Sequence, residues 1–381
     1  LVALQVRSST SRYGPETSLL ELVPALAALG VEARLMALYR RPGDGPDIHP
    51  WIAEARAAGV QADQVLDPGP LSLGVMRRLG RRLRATGADV VHTHDYRTNI
   101  LGGVAARRLD ASVPWVATVH LHTNTSRRLR LYRAVDLFLL RLADRVITVS
   151  RDQRRMLLGR GVDRRRLVLV PTVVDAEACA ARAGDAPSAR AALDVPPGAQ
   201  VVTLVGRLTP QKGVDTLLAA ASTVCATRPN ALFVIVGDGP DRAELEAQAA
   251  ASGLNGAVRF LGYRDDIPRV LAASDIVVMP SRAEGLPHLL LEALAVGCAV
   301  LATNVGGIPD IVHDGETGLL IPPAAPDRVA SGILQLLADP VLAERLALAG
   351  QRYVHRHCSP EMAARRLASV YRAVLAERGQ G

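Results

Sequence analysis

Val201-Val202-Thr203-Leu204-Val205-Gly206-Arg207-Leu208-Thr209-Pro210-Gln211-Lys212-Gly213 is a β-branched apolar run that stops at a glycine and passes two cations before an amphipathic stretch. It reads as strand, tight turn and helix, the unit from which parallel α/β sheets are built. Lys212 is the only lysine in 381 residues, against 44 arginines (45 Lys+Arg less one). A bias toward arginine explains the scarcity of lysine but not its place at a strand end. A compact ammonium differs from a planar guanidinium, and neighbouring phosphate oxygens can use one of each. Arg207 and Lys212, five residues apart before a helix N-terminus with free N–H groups, therefore read as a phosphate grip.

The same alternation continues outward from this stretch. Downstream, strands are expected near 232–236, 258–261, 276–279, 299–302 and 319–321, with helices at 214–227, 242–251, 267–272, 288–296 and 327–338. Upstream, strands are expected near 2–7, 32–38, 90–94, 116–120, 146–150 and 167–170, with a helix at 16–29 whose Leu19, Leu22, Val23, Leu26 and Ala27 mark one face. Residues 175–200, rich in Ala and Gly and holding Pro187, Pro196 and Pro197, read as a linker with edge elements. The fold class is therefore α/β, with two doubly wound Rossmann-like domains, 1–180 and 181–359, facing across a cleft. Ligands of such sheets sit beyond the carboxyl ends of the strands, where the cations above also fall.

A second constellation follows the strand at 276–279. In Ser281-Arg282-Ala283-Glu284-Gly285-Leu286-Pro287-His288-Leu289-Leu290-Leu291-Glu292-Ala293, Glu284 lies in a loop and Glu292 in the helix after it. Two carboxylates so placed can accept hydrogen bonds from different hydroxyls of one ligand. Glu292 sits among leucines and alanines, where a carboxylate needs a partner. Asn304-Val305-Gly306-Gly307-Ile308-Pro309 then offers paired glycines after a strand, which let backbone approach a ligand. Alone, such a pair is as well explained by a plain turn.

Together, Gly-Arg-Leu-x4-Lys-Gly, Glu-x7-Glu and Gly-Gly-x-Pro resemble the retaining glycosyltransferases of family 4, which have the GT-B fold. The likeness covers nearly the whole chain and is most specific in the second half. In the first half, Ala88-Asp89-Val90-Val91-His92-Thr93-His94 and Ala143-Asp144-Arg145-Val146-Ile147-Thr148-Val149-Ser150 are similar to segments of that family, and Thr118-Val119-His120 matches its active-site histidine. The resemblance implies a nucleotide-sugar donor whose diphosphate meets Arg207 and Lys212. Glu292 would hold the ribose, Glu284 the sugar hydroxyls, and His120 would lie beside the sugar. Gly206, Tyr263 and the backbone at Gly285, Leu286, Gly306 and Gly307 would complete the donor pocket. Ser11-Arg12-Tyr13-Gly14-Pro15-Glu16 matches a glycine-rich loop facing the diphosphate, with Tyr13 where a glycine is common. A helix from 360 to 381 is implied to return to the first domain. Pro171-Thr172-Val173-Val174-Asp175 and Asp310 also depart from the family's usual residues, but no charge the chemistry needs is lost.

Asp-x-Asp, which holds a divalent ion in metal-dependent transferases, does not occur; Asp265-Asp266 are adjacent and Asp238-Gly239-Pro240-Asp241 is too widely spaced. Arg207, Lys212 and helix N-termini can stabilise a departing diphosphate without metal, and no cofactor is expected. Three rivals stay open. His92, His94, His120 and His122 could gather round a metal, although no Cys or carboxylate stands at metal spacing. A sugar-nucleotide 2-epimerase would share the fold and need no acceptor. A non-catalytic sugar-nucleotide-binding protein would need neither Lys212 nor Glu284, and both are present. A nicotinamide oxidoreductase is disfavoured because Gly237-Asp238-Gly239-Pro240 lacks the third glycine and Pro240 has no N–H.

Composition narrows the setting. At 49% apolar the chain can bury sizeable cores, and no stretch reaches the roughly 20 apolar residues of a membrane span. Cys179, Cys225, Cys298 and Cys358 show neither disulfide nor metal spacing, and no signal peptide precedes the first strand, so a cytosolic home is expected. Residues 1–180 hold 27 Arg against 17 acids, +10, and residues 181–381 hold 18 Lys+Arg against 20 acids, −2. The excess clusters at Arg77, Arg78, Arg81, Arg82 and Arg84, at Arg127, Arg128, Arg130 and Arg133, and at Arg164 to Arg166. Such a half suits an anionic membrane surface at the inner face, or a phosphate-bearing acceptor, as well as a plain solvated face. Nucleic acid is disfavoured, since no aromatic residues interleave the clusters. The acceptor remains a glycan, a lipid-linked or a small-molecule hydroxyl.

Overall fold

The computed structural model describes residues 1–9, 14–41, 45–69, 73–109, 113–120 and 127–379. They form two units, Leu1–Val173 with Pro360–Gly381, and Val174–Ser359.

The first unit is built on a fully parallel sheet of β1 (Val2–Ser9), β2 (Glu32–Tyr39), β3 (Ala62–Leu66), β4 (Val90–Thr93), β5 (Trp115–Val119), β6 (Arg145–Thr148) and β7 (Leu167–Leu169), in the order β3-β2-β1-β4-β5-β6-β7. Alternating side chains divide between two cores. Leu4, Val6, Met36, Val91, Ala117 and Val146 face one layer of helices. Ala3, Val90, Val116 and Ile147 face the other, made by the helices Gly14–Ala27 and Pro360–Gly379. Ala363, Ala364, Leu367, Ala368 and Tyr371 of the last helix are buried there, so the chain's end is a structural layer of its beginning. The sheet has one strand more than expected. β3 is an edge strand with only Val65 buried, so its sequence Ala-Asp-Gln-Val-Leu carries little of the alternation that marks a half-buried strand. The first helix begins at Gly14 and ends at Ala27, two residues ahead of expectation at each end.

The second unit repeats the plan with β8 (Gln200–Val205), β9 (Ala231–Val236), β10 (Val258–Gly262), β11 (Ile276–Met279), β12 (Ala299–Thr303) and β13 (Leu319–Ile321), all parallel in the order β10-β9-β8-β11-β12-β13. Residues 175–200 are not the linker that their Ala, Gly and Pro content suggested. They form helices Ala176–Ala183 and Ala186–Ala192, capped by Asp175 accepting from the Ala178 N–H and Asp185 accepting from the Ser188 N–H, each at 2.9 Å. Pro187 lies in the first turn of the second, where its missing N–H costs nothing. Cys179 of the first helix is buried with its Sγ 3.9 Å from the Glu292 carbonyl oxygen, so the helix belongs to the second unit. The division accordingly falls between Val173 and Val174, not at 180 and 181.

Candidate active site

In the second sheet the strand order reverses between β8 and β11, and the loops leaving those two strands carry the predicted residues. The β8 loop runs through Gly206–Thr209 into a single 3-10 turn, Pro210–Lys212, before the helix Val214–Thr227. Gly213 joins turn to helix with φ 67°, and a Cβ there would stand 2.1 Å from the Pro280 carbonyl oxygen. Only glycine lets this loop lie against the end of β11. Further ties hold the two loops together, among them the Arg282 Nη1 bond to the Pro210 carbonyl. The Arg282 amide donates to the Gln211 carbonyl at 2.7 Å, and Gln211 Nε2 donates to the Ala283 carbonyl at 2.8 Å. Arg282 also forks onto Asp215 at 2.9 and 2.6 Å, and that pairing pulls the Asp215 carboxyl below its usual range.

This apposition brings Lys212 to Glu284. The Lys212 Nζ donates to Glu284 Oε1 at 2.7 Å, and Ser281 Oγ donates to the same oxygen at 2.7 Å. Thr303 Oγ1 donates to the Ser281 carbonyl at 2.6 Å and so ties the end of β12 into the cluster. The Glu284 side chain is 6% exposed and that of Lys212 22%. Gly206 leaves room for the lysine stem: a Cβ there would stand 3.3 Å from Lys212 Cε. Arg207 is different. It is exposed, and among the described residues its guanidinium has no hydrogen bond or ion pair. Of the two predicted cations, one is fastened and one is free.

Glu292 has the partner its apolar setting required. Its Oε2 lies 3.4 Å from His288 Nδ1, one turn earlier in the helix His288–Val296, and both side chains are largely buried. Gly285 and Leu286 are buried between Glu284 and that helix. The paired glycines prove to be part of the cluster. Gly306 has φ 57°, and a Cβ on it would lie 1.8 Å from the Glu284 carbonyl oxygen. The Gly307 amide donates to the Gly285 carbonyl at 2.6 Å. That corrects one expectation: the Gly307 N–H is spent on bracing the Glu284 loop and is not open to a phosphate. Tyr263 stands just past the edge strand β10, 63% exposed.

In the first unit, Gly14 is the first residue of its helix, whereas Ser11, Arg12 and Tyr13 of the predicted glycine loop lie outside the described residues, as does His122. His120 is half-buried directly after β5, its ring stacked on His94 with centroids 6.2 Å apart, and His94 lies 4.1 Å from His92. These rings are held by a polar network that sequence did not reveal. His92 Nδ1 meets the Tyr371 hydroxyl and His92 Nε2 the Thr118 hydroxyl, each at 2.7 Å. Gln5 links Tyr371 at 3.1 Å to His94 Nε2 at 2.8 Å. Burial drives His92 down to about 3 and His94 well below 6.5, so both are neutral, and burial raises the Tyr371 hydroxyl. With both nitrogens engaged, His92 acts as a clamp between sheet and last helix and has neither left for a metal ion. Arg7 pairs with the fully buried Glu16, and its Nη1 donates to the His94 carbonyl at 3.1 Å. The signal for this network was the placement of polar residues at alternate positions of β-rich runs.

Family models match both halves. Residues 185–353 match Glycosyl transferases group 1, and residues 13–178 match Glycosyltransferase Family 4. A relative from Escherichia coli, UDP-Gal:alpha-D-GlcNAc-diphosphoundecaprenol alpha-1,3-galactosyltransferase, is 31% identical over 273 residues, 69% of this chain and 70% of its own. Alpha-maltose-1-phosphate synthase from Mycolicibacterium smegmatis is 32% identical over 321 residues, 77% of this chain and 81% of its own. Among solved structures, Anabaena HepE in complex with UDP and glucose superposes with a TM-score of 0.83 at 22% identity, over 98% of this chain and 100% of that one.

Proposed function

The chain belongs to the glycosyltransferases of group 1 and family 4, and on that premise we propose that it moves a sugar from a nucleotide-sugar donor to an acceptor hydroxyl, with retention at the anomeric carbon and without a metal ion. One observation carries the reading. At the reversal of the second sheet, a free arginine and a lysine fastened to a buried glutamate stand on one loop. As the bond from the anomeric carbon to the diphosphate oxygen breaks, negative charge collects on the diphosphate. Arg207 supplies a mobile fork and Lys212 a fixed point charge where that charge appears. The acceptor oxygen forms the new bond on the same face, and its proton passes to the leaving phosphate.

Glu284 orients the sugar. Its two hydrogen bonds from the protein both fall on Oε1, so among the described residues Oε2 is left to accept from a hydroxyl. Glu292, steadied by His288, is assigned the ribose, and His120, Gly14 and Tyr263 keep the roles their motifs imply at the reacting sugar and the donor. The Escherichia coli relative is named for a diphosphoundecaprenol-linked acceptor, which puts lipid-linked glycans among the acceptors to try beside soluble glycans and small molecules. The relatives named above, with a transferase and a synthase between them, support transfer over 2-epimerisation.

A thermal-shift panel of UDP, GDP, ADP and their sugars tests the donor assignment. Ligand at about 100 times its Kd adds about 2.7 kcal/mol to the native state. One base series should raise the melting temperature, and a flat response to all three would overturn the donor reading. Product analysis of donor alone separates the rivals, since epimerisation needs no acceptor.

A further inference from the structure

We propose that the exposed face of the helix Arg127–Leu139, with the turn that follows it, docks on an anionic lipid bilayer. Leu131, Val135, Phe138 and Leu142 are 62%, 36%, 63% and 47% exposed. Their spacing of four, three and four places them on one stripe of the helix and its continuation, Leu140–Leu142. The chain has three phenylalanines; Phe233 is fully buried, Phe260 is packed against a core, and Phe138 faces solvent. The stripe is not needed to seat the helix. Leu137 and Leu140 are buried on the opposite side, and buried Asp136 accepts from Asn99 Nδ2 at 2.9 Å.

The rim of the stripe is cationic. Arg130 and Arg141 are exposed on its flank. At the Leu142 end, Arg141 Nη2 donates to the Arg160 carbonyl at 2.7 Å, and Arg166 Nη1 donates to the carbonyls of Arg141 and Ala143 at 2.7 and 3.0 Å. These guanidiniums are positioned by neutral carbonyls and not by carboxylates. Asp136 is the helix's one acid and faces inward, while nearby Asp144 is committed to Arg378 and to the Trp115 amide. The side chains of Arg127 and Arg128 lie outside the described residues. An apolar stripe rimmed by arginine, with no exposed acid on its helix, matches acyl chains below anionic headgroups. A second copy of the chain would bring like charge against like charge.

The test is co-sedimentation with vesicles of phosphatidylglycerol and phosphatidylcholine, against vesicles of phosphatidylcholine alone, without donor. Wild type should bind the anionic vesicles selectively, more weakly as NaCl rises from about 0.05 to about 0.5 M. Leu131→Ser with Phe138→Ser should weaken that binding about tenfold or more. Arg130→Gln with Arg141→Gln should remove the preference for anionic lipid. Melting temperature and its shift by nucleoside diphosphate, measured on the same samples, should stay at wild-type values. The proposal therefore fails or stands independently of the transfer reading. Equal, negligible binding to both vesicle types would overturn it. So would unchanged binding by the Leu131/Phe138 variant, or a concentration-dependent dimer that this variant dissolves.

Discussion

Removing Lys212 should do two separable things. In Lys212→Ala, Glu284, 6% exposed, is left with only the Ser281 bond on its Oε1. Breaking a buried ion pair from one side costs about 3–5 kcal/mol. The lysine is 22% exposed, so solvent can enter its place, and about 2–3 kcal/mol is the fitting figure here. For a domain the size of the second unit that lowers the melting temperature by about 5–10 °C. Turnover should fall by about 10²–10³, the scale for losing one preorganised charge beside a leaving group. The effects part company in the double variant Lys212→Ala with Glu284→Gln. Neutralising the stranded carboxylate should restore much of the lost stability, a coupling of about 1–3 kcal/mol, while activity stays low. Lys212→Arg should rescue only in part, because the stem runs within 3.3 Å of where a Gly206 Cβ would be and the guanidinium is bulkier than the space built for an ammonium. Scanning calorimetry and donor turnover read the two effects. If Lys212→Ala melts with the parent and the double variant gains nothing, Glu284 is not held by charge and the reasoning fails.

Gly306→Ala should cost more than about 2 kcal/mol and weaken diphosphate binding, since its Cβ meets a backbone carbonyl 1.8 Å away. Gly315→Ala, at φ 72° with nothing within 4 Å, isolates the backbone penalty alone and should cost only about 1–2 kcal/mol; comparable losses in both would show that the Glu284 loop yields. The buried histidines predict acid sensitivity. The unfolded chain protonates near 6.5, whereas native His92 protonates only near about 3 and His94 well below 6.5. Between those values the unfolded state binds the extra protons, so their contribution is complete above 6.5 and falls as pH drops toward 3. The slope is about 1.4 kcal/mol per pH unit for each histidine, and His92→Gln should flatten it in urea titrations across that range. Transfer should persist in excess EDTA; activity that vanishes with chelator and returns with Mn²⁺ would overturn the metal-free proposal.

What could be read from sequence was whatever one segment carries in itself. Strands β8, β9, β11 and β12 announced themselves because buried parallel strands are unbroken runs of β-branched and aliphatic residues, and their ends were marked by Gly206, Gly237 and Pro280. β3 was missed because an edge strand with one buried residue has little hydrophobic pattern to show. The helices at 176–183 and 186–192 were missed for a different reason. Ala-rich sequence favours helix, and both carry an Asp cap, but Pro187 drew the eye to a linker although a first-turn proline fits a helix start. At the site, the residue types at the strand ends were legible and their use was not: the paired glycines suggest backbone open to a ligand, whereas the Gly307 amide bonds to the Gly285 carbonyl and braces another loop.

Partnership was the part no segment could state. Lys212 and Glu284 are 72 residues apart and meet because β11 pairs with β8 on the side away from β9. The first unit follows the same logic: its order reverses between β1 and β4, and there Arg7 at the end of β1 pairs with buried Glu16 and reaches the His94 carbonyl beyond β4. Each doubly wound sheet thus places a cation–carboxylate pair at the reversal of its strand order. Such pairs are weak evidence of stability, because desolvation takes back most of what attraction gives. Their value here is positional. A buried carboxylate with one oxygen tied down presents the other in a fixed direction, and a lysine tied to it cannot swing away from an incoming phosphate. In the proposed reaction the Arg207 and Lys212 cations are then not redundant: the tied one would set where charge is received, and the other, exposed and unpaired among the described residues, would follow the diphosphate as it leaves.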